Sequence, residues 1–175
     1  MTALMSSLAP YIGVQSEVVM ACDAVEPGAV RRFAQATMDE RAVYGPAGAK
    51  SRYGAPVAPP LYPALMFRRP LGTPDPVQLH ADDPDWDGNA AAGNAGLPPL
   101  EPLRAHSVLN GGAEVELYRY ALHGERVVMQ SRYADIYEKL GGKRPMVFVI
   151  LESEYRTIEG ELLLRVRRTY IWSQA

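Results

Sequence analysis

Four strand-like runs fill the last third of the chain: AEVELYRYAL, RVVMQSRYADIYEK, PMVFVILESEYRT and ELLLRVRRTYIW. Short glycine-bearing stretches separate them, His123-Gly124-Glu125, Gly141-Gly142-Lys143 and Glu159-Gly160. Runs rich in β-branched and aromatic residues with tight turns between them predict an antiparallel meander. Alternation is cleanest in Glu152-Ser153-Glu154-Tyr155-Arg156 and in Leu164-Arg165-Val166-Arg167. Such strands have one wet face and one buried face.

The upstream chain reads differently. Glu17 to Ala21 alternates and predicts an edge strand. In EPGAVRRFAQATMD, the residues Val30, Phe33, Ala34 and Thr37 fall at helical spacing behind Pro27, predicting a helix from Pro27 to Met38. Residues 41–60 are rich in Gly and Pro and predict irregular chain with one helical turn around Ala47–Arg52. In PPLYPALMFRR the prolines fit only a helix entrance. Leu61, Ala64, Leu65 and Met66 then predict a short helix without a polar face, which belongs in the interior. Residues 70–104 carry no apolar period and predict a long loop, either a lid or interface arm or disordered.

Helix, buried proline-led helix, long loop, then four antiparallel strands: this order fits an α+β architecture in which a curved antiparallel sheet wraps around a central helix, the hotdog fold. A length of 175 residues suggests one domain over 1–175, and 47% hydrophobic with 22% charged residues reads as globular. A net charge of -2 without a basic stripe gives no sign of a nucleic-acid partner. Cys22 is the sole cysteine, which excludes an internal disulfide and a cysteine-rich zinc site. The N-terminus lacks a charged region followed by a long apolar one, and no apolar run reaches membrane-spanning length, so the expectation is a cytoplasmic chain without a membrane partner.

Three segments resemble the MaoC-like hotdog proteins, the (R)-specific enoyl-CoA hydratases and 3-hydroxyacyl-thioester dehydratases, and in particular their N-terminal-type domains. They are RRFAQATMDERAVYGPAGAKSRYGAPVAPPLYPALMF, LNGGAEVELYRYALHGERVVMQSRYADIYEK and PMVFVILESEYRTIEGELLLRVRRTYI. The resemblance implies an Asp and a His that position and deprotonate the water adding across an enoyl double bond. It also implies backbone N–H groups at the central helix start that hold the thioester oxygen. Asp39 falls on the family's Asp, and Tyr44 on its His. ERAV between them lacks the family's Asn-Pro, and VAPPL lacks the His-Gly pair at the helix entrance. Pro59 and Pro60 have no N–H, so Leu61 and Tyr62 become the expected first donors. The resemblance places LNGG at a strand start near a subunit interface, and Asn110 and Gly111 join Leu61 and Tyr62 as expected substrate contacts.

A histidine with pKa near ~6.5 is available as a base at neutral pH, whereas tyrosine near ~10 is not. Ionising Tyr44 at pH 7 costs roughly 4 kcal/mol, about a thousandfold in rate. Asp39 at a helix C-terminus faces the negative dipole end, and burial would raise its pKa toward that of a base. The plainer role is that Asp39 ends the helix and pairs with Arg41. The resemblance therefore implies an acyl-CoA-binding subunit of an enoyl-CoA hydratase or 3-hydroxyacyl-CoA dehydratase that needs a catalytic Asp/His partner. A self-sufficient hydratase using Asp39, a non-catalytic acyl-thioester-binding protein and a thioesterase are the alternatives. A homodimer or a heterodimer with a MaoC-like subunit is implied, with no cofactor beyond the CoA or pantetheine of the substrate.

DPDWDGN offers Asp83, Asp85, Asp87 and Gly88 in the order of a calcium loop, but the twelfth position is Asn94 instead of a bidentate Glu. A solvated acidic turn is expected there, with no metal. His80, His106 and His123 read as surface residues, His123 in a hairpin turn.

Overall fold

Alternation in the C-terminal strands decides the architecture. In the computed structural model, which describes residues 2–67, 71–74, 76–83, 96–141 and 144–174, the sheet has five antiparallel strands. They are β1 (Val19–Met20), β2 (His106–Leu117), β3 (Val127–Gly141), β4 (Arg144–Thr157) and β5 (Leu162–Gln174). Their order is β1-β3-β4-β5-β2. The short helices are α1 (Ala3–Leu8), α2 (Pro27–Ala36), α3 (Tyr62–Leu65) and α4 (Pro76–Leu79). This is the expected α+β hotdog arrangement.

Only β3, β4 and β5 form the predicted meander. β2 pairs with β5, from His106↔Gln174 to Leu117↔Leu164, at the far edge from β3. His123-Gly124-Glu125 therefore is not a hairpin between neighbours. Residues 118–126 form a crossover whose apolar residues enter the core: Ala121 is buried, with Tyr120 and Leu122 packed beside it. Ala58 N–H donates to Ala121 O, and Val25 N–H to Glu125 O, tying the crossover to the upstream segments.

α2 ends two residues before the predicted Met38. Met38 N–H donates to Gln35 O, and Asp39 N–H to Ala34 O, with Met38 left-handed at φ 55. This paired closure is a Schellman-type end, and it fixes where Asp39 emerges. The predicted helical turn near Ala47 is a 3-10 turn, Pro46–Lys50.

The proline-led helix is a single turn. Tyr62, Pro63 and Met66 are buried, but Leu61 and Leu65 stand 48% and 43% exposed, contrary to the expectation of an apolar rod enclosed on all sides. Pro59, Pro60 and Pro63 confine the helix to its own entrance, so too few residues remain to turn every apolar side chain inward. The segment still lies under the sheet. Val57, Ala58, Tyr62 and Met66 join Val127, Met129, Tyr155, Leu164 and Val166 in one core.

A second core lies along the same face of β4. Leu8 of α1, Leu97, Leu100 and Leu103 cover Tyr133, Ile136, Val147, Val149 and Leu151. The long loop is thus part core: residues 97–103 are neither lid nor disordered chain. The stretch 84–95, with Asp85, Asp87, Gly88 and Asn94 of the calcium-loop pattern, lies outside the described residues, as do turn residues 142–143.

The outer face of β3, β4 and β5 carries paired charges. Glu152 Oε1 accepts from Arg132 and Glu152 Oε2 from Arg167, each at 2.8 Å, while Glu154 binds Arg156 and Arg165. Burial pushes both carboxyl pKa values up, but the hydrogen-bonded guanidinium groups outweigh it and hold each below its ordinary 4.5. A carboxylate depressed on folding adds stability above the unfolded pKa, lost as pH falls through the folded value. Glu152 is 5% exposed, but its arginines are 46% exposed and reach water. Glu152→Gln is therefore expected to cost about 1–2 kcal/mol at pH 7, below the cost of breaking a fully buried pair. Denaturant titrations from pH 7 to 3 should show that difference shrinking below about pH 4.

Candidate functional site

The residues after α2 build a small hydrogen-bonded cluster. The end of α2 delivers Asp39, and a 3-10 turn, Ala42–Tyr44, folds Tyr44 back toward it. Val57 N–H donates to Val43 O and anchors this turn against the core, where Tyr44 is buried. Tyr44 Oη donates to Asp39 Oδ2 at 2.8 Å. Arg41 closes a fork on the same carboxylate, Nε to Oδ1 at 2.9 Å and Nη2 to Oδ2 at 2.8 Å. The guanidinium also contacts Tyr44 Oη and sits 5.0 Å from the Tyr44 ring centroid.

The electrostatics follow from these contacts. The hydrogen bond from Arg41, then that from Tyr44, holds the Asp39 carboxyl below the usual carboxylate range, outweighing partial burial. Burial, then the bond to Asp39, pushes the Tyr44 hydroxyl well above its ordinary 10. The expectation that burial raises Asp39 toward a useful base is overturned, because a bidentate cation two residues away stabilises its ionised form. Asp39 is a weak base with both oxygens occupied, and Tyr44 stays protonated at neutral pH. Arg41→Ala is expected to raise the Asp39 pKa, read from carboxyl carbon shifts on acid titration. An unmoved titration would place the depression elsewhere.

The cluster borders an open cleft of about 890 Å³, lined by Arg31, Gln35, Tyr44, Ala49, Pro56 and His123 among others. His123 reaches it because Val57 and Leu122 form an isolated bridge and His123 N–H donates to Pro56 O. A local reading of its turn residues carries no trace of that long-range contact. On the other side of α2, Tyr62, Leu65, Met66 and Phe33 line a smaller cavity of about 240 Å³.

The other predicted site residues lie apart. Tyr62 N–H is bonded to Pro59 O at 3.0 Å, so it is not the free donor expected. Its ring packs edge-on against Phe33, centroids 5.8 Å apart. Leu61 lines neither cavity. Asn110 Oδ1 accepts from Gly112 N–H at 2.9 Å, within a break in the β2–β5 register between Asn110 and Ala113. A Cβ on Gly111 would meet Thr169 Cγ2 at 2.9 Å and Ile171 Cγ1 at 3.0 Å. Both residues shape an exposed edge strand and line neither cavity. The structure thus unites Asp39 and Tyr44 and separates them from Leu61, Asn110 and Gly111.

Residues 11–166 match the family described as FAS1-like, dehydratase domain region. The chain belongs to that family. It is a MaoC-like hotdog protein, as the resemblance in its sequence implied. No curated protein matches it. Among solved structures it is similar to a chain of the ChsH1-ChsH2 complex of Mycobacterium tuberculosis, with a TM-score of 0.68 at 19% identity over 96% of this chain and 89% of that one. It is also similar to the MaoC-like dehydratase from Rhodospirillum rubrum, TM-score 0.61 at 16% identity over 94% and 93% of the two chains. A third is a chain of the HadBC (3R-hydroxyacyl-ACP dehydratase) complex of Mycobacterium tuberculosis, TM-score 0.57 at 14% identity over 92% and 96%. Two of these three come from structures of complexes. Among the described residues of this MaoC-like chain, no helix is long and apolar enough to cross a membrane.

Proposed function

We propose that this chain is the acyl-thioester-binding subunit of a two-subunit enoyl-CoA hydratase or 3-hydroxyacyl-thioester dehydratase, whose working Asp/His pair sits on a MaoC-like partner. The observation that carries the reading is the Asp39–Arg41–Tyr44 cluster. Of the positions that resemble the family's acid–base pair, Tyr44 lines a large cleft with its hydroxyl held protonated, and Asp39, bonded to it, is a carboxylate held below the usual range and so a weak base. The likeness to heteromeric hotdog complexes supports a partner. So does β2, whose edge away from β5 has no neighbouring strand among the described residues, with Leu109, Val115 and Leu117 exposed on that strand. An unpaired edge of this length is a template for another strand. CoA or a carrier's pantetheine arrives with the substrate.

Hydration of a short and a bulky enoyl-CoA, assayed with the purified chain and then with an added MaoC-like partner, tests the reading. The expected result is turnover only in the mixture, insensitive to Asp39→Asn. Turnover by the chain alone, falling about 10²–10⁴-fold in Asp39→Asn, would instead establish a self-sufficient hydratase. Thiol release would establish a thioesterase, and binding without turnover in any mixture a non-catalytic binder.

A further inference from the structure

Four buried side-chain nitrogens among the described residues have no hydrogen-bond partner: His106 Nδ1, Arg119 Nε, His123 Nε2 and Trp172 Nε1. Of these four residues, only His123 lines the 890 Å³ cleft. His123 hydrogen-bonds the backbone of Val57, and Val57 N–H is already given to Val43 O, so the Val57 carbonyl is the acceptor. Since Nε2 is unpartnered, Nδ1–H makes that bond, and Nε2 carries a bare lone pair. Burial holds the imidazole pKa below its ordinary 6.5, so the ring is neutral at pH 7.

Two donor-bearing residues of the cleft are already engaged. Tyr44 Oη donates to Asp39, and Arg41 directs Nε and Nη2 to the same carboxylate. A buried acceptor left unmatched is costly and calls for an explanation. His123 lines the cleft, so a rotation of its ring is what would present Nε2 to a bound molecule. That molecule must supply the donor. Saturated and 2-enoyl chains have none near the thioester, whereas a hydroxyacyl chain has its hydroxyl.

We propose that His123 is a specificity-determining residue of the cleft, turning Nε2 to accept a hydrogen bond from the hydroxyl of a hydroxyacyl thioester. This rests on the acyl-thioester reading above. It assigns His123 to binding and leaves proton transfer to the partner.

Calorimetric binding of 3-hydroxyoctanoyl-, octanoyl- and 2-octenoyl-CoA to the wild-type chain and to His123→Phe tests it. The wild type should favour the hydroxyacyl ligand by about tenfold. His123→Phe should lose that preference while still binding octanoyl-CoA. Equal binding of all three by the wild type, or a preference that survives in His123→Phe, would overturn the role of His123 and spare the subunit reading. No binding of any of the three would overturn both. Should His123→Phe fail to fold, imidazole nitrogen shifts of the wild type still decide. The His123 Nε2 resonance should move with the hydroxyacyl ligand and stay still with octanoyl-CoA, and the reverse outcome rejects the proposal.

Discussion

Leu103→Ala is expected to destabilise the chain by about 3 kcal/mol, within the range for fully buried leucines, and to lower its melting temperature by roughly 10 °C. Leu103 is 0% exposed and packs in the second core with Leu8, Leu97, Leu100 and the inner residues of β3 and β4. Truncation removes apolar surface from a contact that three sequence-distant segments share, and their backbones cannot all collapse into the gap. Leu71, in the same long connection but fully exposed, is the control, and Leu71→Ala should change stability by less than about 0.5 kcal/mol. Equal effects of the two substitutions would show that residues 97–103 do not cover the sheet.

Gly48→Ala should be at least as damaging, about 3 kcal/mol or more, and should abolish ligand binding in the cleft. A Cβ on Gly48 would stand 2.5 Å from Val43 O, 2.6 Å from Pro56 Cα and 2.9 Å from Ala55 O. All three are backbone atoms, so no side chain can swing aside. Relief requires the 3-10 turns at 42–50 to part from residues 55–57. That movement would break the Val57-to-Val43 hydrogen bond and displace Tyr44, Ala49 and Pro56 in the cleft wall. Gly45, three residues earlier, is a matched control. Its nearest contact would be Ala42 O at 3.8 Å, and Gly45→Ala should stay within about 1 kcal/mol of wild type. Denaturation midpoints for both variants, with acyl-CoA binding alongside, decide the matter. A well-folded Gly48→Ala that retains binding would contradict this account of the turn.

The strands and α2 were legible in the sequence because their partners are implied by period alone. Arg165 and Arg167 alternate with Leu164 and Val166, and the outer ion pairs and inner core follow directly. Val30 and Ala34 mark the buried side of α2 in the same way. The position of β2 was not legible, because a three-residue turn pattern predicts a neighbour whereas the real choice is made by β5, some fifty residues later. LPPLEPL hid its core leucines for a related reason. Prolines break any period, and Leu100 and Leu103 share one face only through the brief 3-10 turn Glu101–Leu103. At the candidate site, the spacing of Asp39 and Tyr44 was readable, and so was the Arg41 pairing. The direction of the Asp39 shift was not, since sequence alone could not weigh burial against a two-toothed guanidinium.

The placement of β2 beside the final strand has a consequence for assembly. During synthesis, residues 106–117 emerge before the other long strands, yet among the described residues the strand they pair with, 162–174, is the last of this sheet to be made. The β3–β4–β5 ribbon can zip locally, but closing β2 onto it spans a long loop and comes late. The β2 edge of the sheet is therefore finished only once β5 has been made. If a partner subunit pairs with the β2 edge, as proposed above, that pairing waits until β5 has been made.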